Sequence, residues 1–199
     1  MKNNLKVQEI FTLAIERHKA NNLEIAIDLY NKILEIDQNH VGAYHNLGVI
    51  FNNRGDIQKA KDYYEKVIKI DPNHVSAYNN LGSTFQALGD IQKAKDCYEK
   101  AIEINPDYTD AYNNLGSTFS DLSDNQRAKD YYEKAIEIDP NHILSYWNLH
   151  SLASSTNEAL IILKKLYLID SSHIKTKIII SALEYYEGHY NRFNDLLES

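Results

Sequence analysis

The three prolines of this chain, Pro72, Pro106 and Pro140, stand 34 residues apart. Gly48, Gly82 and Gly116 keep the same spacing, as do Tyr44, Tyr78, Tyr112 and Tyr146, and Ala26, Ala60, Ala94 and Ala128. The segment Ala77–Phe85 returns letter for letter as Ala111–Phe119. A fixed period of this length marks a stack of small supersecondary units. One such unit cannot bury its apolar face alone, so each must pack on its neighbours. Within the period, Gly55-Asp56 and Gly89-Asp90 break the chain between two helices. Glycine accepts the left-handed C-terminal position and aspartate caps the next N-terminus. Asp71-Pro72 and Asn105-Pro106 end the second helix and set the turn to the next unit.

The residues at fixed positions resemble the tetratricopeptide repeat (TPR), a helix–turn–helix unit with an aromatic, Leu-Gly, a second aromatic, Ala, an aromatic, a small or apolar residue and Pro in order. The second unit supplies Tyr44, Leu47-Gly48, Phe51, Ala60, Tyr64, Val67 and Pro72. The third supplies Tyr78, Leu81-Gly82, Phe85, Ala94, Tyr98, Ala101 and Pro106, and the fourth Tyr112, Leu115-Gly116, Phe119, Ala128, Tyr132, Ala135 and Pro140. The flanking units are degenerate. Leu13-Ala14 stands for Leu-Gly in the first and Gln38 replaces its proline. In the fifth, the second helix arrives three residues early, which predicts a short loop near Ser154-Ser155-Thr156. The resemblance spans Val7–Ser199 and implies one array with units at about 7–40, 41–74, 75–108, 109–142, 143–173 and a partial 174–199. The expected fold class is all-α, a right-handed α-solenoid of tandem helix–turn–helix units, twelve helices with the last incomplete. Small residues such as Gly48 and Ala60 are expected to let paired helices approach closely.

Composition excludes several functions. The net charge is −7, with Lys+Arg 21 against Asp+Glu 28. A nucleic-acid binder needs a basic face to displace counterions from phosphates, so none is expected as a partner. A single cysteine, Cys97, leaves no intramolecular disulfide and no Cys-rich zinc site. No apolar run approaches the roughly 20 residues of a membrane helix, so no membrane partner is expected. The lead Met1–Lys6 reads as a true start without a signal peptide. These features predict a soluble cytoplasmic protein.

No catalytic constellation stands outside the repeat, so the chain is read as a non-enzyme without cofactor or metal. Cys97 occupies the place of Tyr63 and Tyr131 in sibling units and reads as an apolar filler. His40, His74, His142 and His173 all occupy the last position of a unit, too far apart in sequence to converge on one ion. No phosphate-cradling glycine motif is present. Charge strings such as Lys93-Ala94-Lys95-Asp96 read as solvated helix faces.

Tetratricopeptide arrays generally bind proteins on their concave face, lined by positions 2, 5, 6, 9, 12 and 13 of each unit, and the resemblance implies the same here. Position 6 reads Asn46, Asn80, Asn114 and Asn148 in four successive units. An amide offers both donor and acceptor, so this ladder suits the main chain of an extended peptide. The same amides could instead tie one first helix to the next, and both readings stand. Around them lie His45, Asn79, Asn113, Ser83 and Ser117. Trp147 is either an anchor for the partner or packing for the irregular end of the array. Lysine or arginine at positions 5 and 9, needed by the clamp that holds a terminal carboxylate in chaperone-binding arrays, is absent.

The leading expectation is a non-catalytic protein–protein interaction module that takes a partner peptide or segment in its groove. Two alternatives are a substrate-recruiting arm of a larger transferase and a homo-oligomeric scaffold. The first follows from a resemblance of the Asn-Leu-Gly units to the repeat region of O-linked GlcNAc transferases. Ile178, Ile179, Ile180, Leu183, Leu196 and Leu197 are expected to form an exposed apolar patch, which would continue into further sequence or support self-association through the C-terminal units.

Overall fold

The computed structural model describes residues 2–169 and Tyr185. Apart from Tyr185, which is exposed, the sixth unit (174–199) and its apolar patch lie outside the described residues. The chain divides into two compact units, Met1–Ala111 and Tyr112–Ser199. The elements of the first are α1 (Lys2–Lys19), α2 (Leu23–Ile36), α3 (Val41–Asn53), α4 (Ile57–Ile70), α5 (Val75–Ala87) and α6 (Ile91–Ile104). The second holds α8 (Asn125–Ile138), α9 (Ile143–Ser151) and α10 (Thr156–Ile169), and α7 (Thr109–Asp121) opens its first pair. Among the described residues every regular element is a helix, and the fold is an all-α solenoid of helix–turn–helix repeats.

The break between paired helices forms as the sequence predicts. Gly55 and Gly89 sit in the left-handed region with φ of 77° and 78°. The Asp56, Asp90 and Asp124 side chains then accept from the backbone N–H of Lys59, Lys93 and Arg127 at 3.3, 3.3 and 3.2 Å. Two other units adopt the left-handed turn without glycine, at Asn21 (φ 58°) and Ser123 (φ 61°). Left-handed backbone costs a side-chain-bearing residue energy, so Ser123 holds a strained place.

The turn between units does not depend on proline alone. Asp37, Asp71, Asn105 and Asp139 all leave their helices in extended backbone. Each uses its side-chain oxygen to accept the N–H two residues on, at 3.0 to 3.1 Å. Gln38 therefore stands in a proline position without disturbing the turn, because the Asx bond closes it.

The paired helices are packed through a tyrosine. Tyr64, Tyr98 and Tyr132 are buried, and a Cβ at Gly48, Gly82 or Gly116 would meet their rings at 2.6, 2.6 and 2.7 Å. Each glycine thus leaves room for an aromatic ring lying across its helix, and at Gly116 the added Cβ would also meet the Ala128 backbone carbonyl of the partner helix at 3.2 Å. Ala60, Ala94 and Ala128 are wholly buried beside these rings. A second aromatic layer stacks Phe51 on Tyr63 at 5.5 Å and Phe119 on Tyr131 at 5.3 Å. Cys97 takes the tyrosine's place in the third repeat, and burial, followed by nearby Asp96, Glu65 and Asp90, pushes its thiol up to about 12.

The fifth repeat differs from expectation in one respect. Its second helix does begin three residues early, at Thr156, but the connecting loop is not shortened. The first helix, α9, absorbs the deletion, with 9 residues where α7 has 13. Keeping the loop preserves the cap: the Ser155 Oγ accepts from the Glu158 N–H at 3.2 Å.

Candidate functional site

Within each compact unit the first helices present a wall, set out by counting positions from Val41 and Val75 in the first and from Thr109 and Ile143 in the second. Helical geometry puts positions 2, 5, 6 and 9 on one face, three and four residues apart. In the compact unit Met1–Ala111, Asn46 is half-buried and donates from Nδ2 to the Gly42 carbonyl of its own helix at 2.8 Å. On the next first helix, Asn80 Nδ2 lies 3.3 Å from Nε2 of His45, and Asn80 also hydrogen-bonds with the Tyr64 phenol. Asn79 is buried, 6% exposed. Ser83 donates from Oγ to the Asn79 carbonyl at 3.3 Å and accepts from the Tyr98 hydroxyl at 3.2 Å, which also reaches Gln86 Oε1 at 3.1 Å.

His45 has a distinctive setting. Its ring stacks on His74 at 5.1 Å and lies 6.0 Å from the Tyr64 ring. Burial first, then the neighbouring His74, brings its pKa down to about 4. A neutral ring with an unprotonated Nε2 accepts from Asn80, so the low pKa and the hydrogen bond agree. His74 in turn caps α5: its Nδ1 accepts from the Ala77 N–H at 3.2 Å, as His40 does for α3 at 3.1 Å. The terminal histidines of these two units are therefore helix caps. Reading them as turn residues misses this, because histidine is seldom a capping residue.

The second unit repeats the tie. Asn148 Nδ2 donates to Asn113 Oδ1 at 2.9 Å, and Ser145 Oγ donates to the same oxygen at 3.2 Å. Asn113 is buried, 6% exposed, and its Nδ2 lies 3.5 Å from Asn114 Oδ1. Ser117 hydrogen-bonds with the buried Tyr132 phenol, as does Ser120. Trp147 is half-buried and meets His150 edge-on at 5.9 Å.

The structure thus brings together His45 with Asn80 and Asn113 with Asn148, a position-6 amide reaching position 5 of the preceding repeat in each unit. The phenols of Tyr64, Tyr98 and Tyr132, named in the sequence only as residues of the repeat signature, reach the wall from the second helices. The signal was present: serine or asparagine stands on the wall wherever this tyrosine finds a partner. In the first repeat Ile15 stands at position 9, as Val49 does in the second, and Asn46, the counterpart of Asn80, is bound to the Gly42 carbonyl. The buried Tyr30 hydroxyl of the first repeat has no partner among the described residues, and burial pushes it up to about 12. Among the described residues no three His, Cys, Asp or Glu side chains are placed to hold a metal. No described helix is long and apolar enough to cross a membrane.

A tetratricopeptide-repeat family model matches residues 40–107 and 73–141, together just over half of the chain. This chain belongs to the tetratricopeptide-repeat family. Proteins of this family are protein-interaction modules. Among solved structures, the repeat array is similar to MamA at 27% identity and a TM-score of 0.68, over 81% of this chain and 96% of that one. It is also similar to YrrB, described as a TPR protein with an unusual peptide-binding site, at 22% identity and a TM-score of 0.63, over 88% and 96% of the two chains. A thermophilic TPR protein of Thermus thermophilus aligns at 16% identity with a TM-score of 0.74, over 90% and 99%. The last two likenesses concern the fold alone. No curated protein matches the chain significantly.

Proposed function

We propose that this tetratricopeptide array binds an extended segment of a partner polypeptide through the amides of its first-helix wall, recognising main chain more than side chain. The observation that supports this most is the tethering of the amides. Asn46, Asn80 and Asn148 each engage an N–H of the side chain in a bond within the protein. A primary amide has two N–H donors and two acceptor lone pairs, so the single bond of Asn46 or Asn148, or the two bonds of Asn80, fix its orientation without exhausting it. A side chain oriented before the ligand arrives loses less entropy on binding. The two readings of the asparagines are therefore compatible: the tie between helices is what presents the amide.

The wall bears no cation at positions 5 and 9 of the second to fifth repeats, where His45/Val49, Asn79/Ser83, Asn113/Ser117 and Trp147/Ser151 stand. It is accordingly suited to internal segments and not to a terminal carboxylate. The peptide-binding site named for YrrB belongs to that protein, and it adds weight to a peptide ligand here. Asn46 is the clean probe, because its tether lies inside its own helix. Ligands selected from a displayed random-peptide library should bind Asn46→Ala about 2- to 12-fold more weakly, from about 0.5–1.5 kcal/mol per net hydrogen bond. Asn148→Ala should weaken binding similarly, with the helical circular dichroism intact in both. Affinity unchanged in both variants would sink the proposal.

A further inference from the structure

Two departures from the repeat converge at one place in the fold. Position 26 is lysine in the first four repeats: Lys32, Lys66, Lys100 and Lys134. Position 29 is glutamate at Glu35, Glu103 and Glu137 but lysine at Lys69. In the third and fourth repeats the pair closes on itself, with Lys100 Nζ 2.9 Å from both Glu103 oxygens and Lys134 Nζ 2.9 Å from Glu137 Oε2. In the second repeat the same helix face presents Lys66 and Lys69, two like charges three residues apart. The pair adds a like-charge repulsion that the sibling repeats avoid, although Asp62 and Glu65 stand four residues before Lys66 and Lys69, and Lys69 lies in the last turn of α4, where a cation is favourable.

The second departure is Gln38, which replaces the proline of the next three repeats. Gln38 and the lysine pair line one cavity of about 500 Å³, together with Asn39, Tyr44 and Ile70. The turn keeps its shape without the proline, so glutamine there gains amide donors at no cost to the fold. The neighbouring carboxylates have their observed contacts outside the cavity. Asp37 accepts from the Asn39 N–H, Asp71 from the Asn73 N–H and Asp62 from Gln58, while Glu65 faces Lys61 at 3.6 Å. None of them lines the cavity. A chain of net charge −7 thus holds a local site with two lysines, two amide side chains and a phenol, and no acid.

We infer that this cavity receives an oxyanion borne by a side chain of a partner polypeptide, a carboxylate or a phosphoryl group. Lysines act as compact point charges and accept either, without the bidentate geometry that arginine would impose. Ile70 and Tyr44 add apolar surface to the lining that the stem of the incoming side chain can contact. The cavity shares no residue with the amide wall, so this site stands whether or not the wall binds peptide.

The test is a heteronuclear NMR titration of the full chain at about 50 mM salt, where screening is moderate. Three capped peptides of one scaffold are compared, bearing a glutamate cluster, a phosphoserine or neutral glutamines. The acidic peptides should shift the backbone amides of residues 38–44 and 66–70, and the neutral one should not. The stronger of the two acidic ligands identifies the source of the oxyanion. Lys69→Glu restores the residue of the sibling repeats and gives Lys66 its partner, and should weaken the better ligand at least tenfold. Lys69→Gln should weaken it at least threefold without a new ion pair. Lys134→Glu changes the charge equally in the second unit and should leave affinity within twofold. The inference is overturned if neither acidic peptide shifts these amides. Binding by Lys69→Glu equal to the parent, or an equal loss in Lys134→Glu, would also overturn it.

Discussion

Gly82→Ala sets two general effects against each other at one atom. Alanine is the better helix former by about 1 kcal/mol, so substitution inside an ordinary helix would stabilise the chain. Here the new Cβ would stand 2.6, 2.8 and 3.0 Å from Cε1, Cδ1 and Cζ of Tyr98. That ring is 1% exposed, and its hydroxyl is held by Ser83 and Gln86. It cannot swing into solvent without giving up burial and both bonds. Overpacking of this kind costs about 1–3 kcal/mol, and loosening the hydroxyl adds about 0.5–1.5 kcal/mol. The clash therefore wins, and Gly82→Ala should destabilise by about 1–3 kcal/mol. Replacing the ring tests the cause. In a Tyr98→Leu background the obstacle is gone, and the same Gly82→Ala should be neutral or stabilising by up to about 1 kcal/mol. Urea denaturation followed by far-ultraviolet circular dichroism, compared at constant slope, gives all four corners of the cycle. A higher midpoint for Gly82→Ala in the parent chain would refute the packing argument. So would an equal penalty in both backgrounds.

Two further outcomes follow from the same geometry. The pKa of His45 falls from 6.5 in the free side chain to about 4 in the fold, so the unfolded chain takes up a proton first as the pH drops. Stability is then full above about pH 6.5 and is lost on acidification towards about pH 4. The shift sets an upper bound of about 3 kcal/mol, reduced to about 1–2 kcal/mol because the ring is partly open to solvent. The groups facing His45 are His74, Tyr64 and Asn80, and His18 and His150, lowered by burial, add slope of the same sign. Denaturation of His45→Gln at pH 7 and pH 5 should show a visibly shallower loss than the parent, and an identical loss would contradict the assignment. Ser123→Gly should raise stability by about 1 kcal/mol, since it relieves a left-handed residue where Gly55 and Gly89 stand in sibling repeats. A lower thermal midpoint would show that the Ser123 side chain stabilises the turn by more than its backbone strain costs.

The repeat made the fold legible because each structural demand recurs at a fixed offset. Gly55, Asp56 and Pro72 have conformational roles that are nearly one-to-one with residue type, so their copies mark the same turns. What escaped were roles shared between positions. Gly48 reads as a small residue, and only the structure shows that Tyr64 lies over it. His74 reads as a turn residue because a histidine cap is uncommon, and its stacking on His45 joins residues far apart in the chain. The wall asparagines were visible by position, but their tethers were not. An amide's partner depends on the neighbouring helix, as with Asn148 on Asn113. The Lys66–Lys69 pair was lost for the opposite reason: it departs from the repeat, and charged helix faces usually read as solvated surface.

The claim that the amide wall recognises main chain is tested most directly by altering only the ligand's backbone. A peptide selected from the displayed library is resynthesised with alternate backbone nitrogens methylated and its side chains unchanged. Each methyl removes one donor, worth about 0.5–1.5 kcal/mol net. Isothermal titration against the full chain should show affinity lost at least about fivefold when two or more wall-facing nitrogens are blocked, from about 1 kcal/mol or more in total. An analogue with scrambled side chains and a free backbone should stay within about threefold of the parent, a margin of roughly 0.6 kcal/mol. The reverse pattern, with full affinity after methylation and none after scrambling, would contradict main-chain recognition.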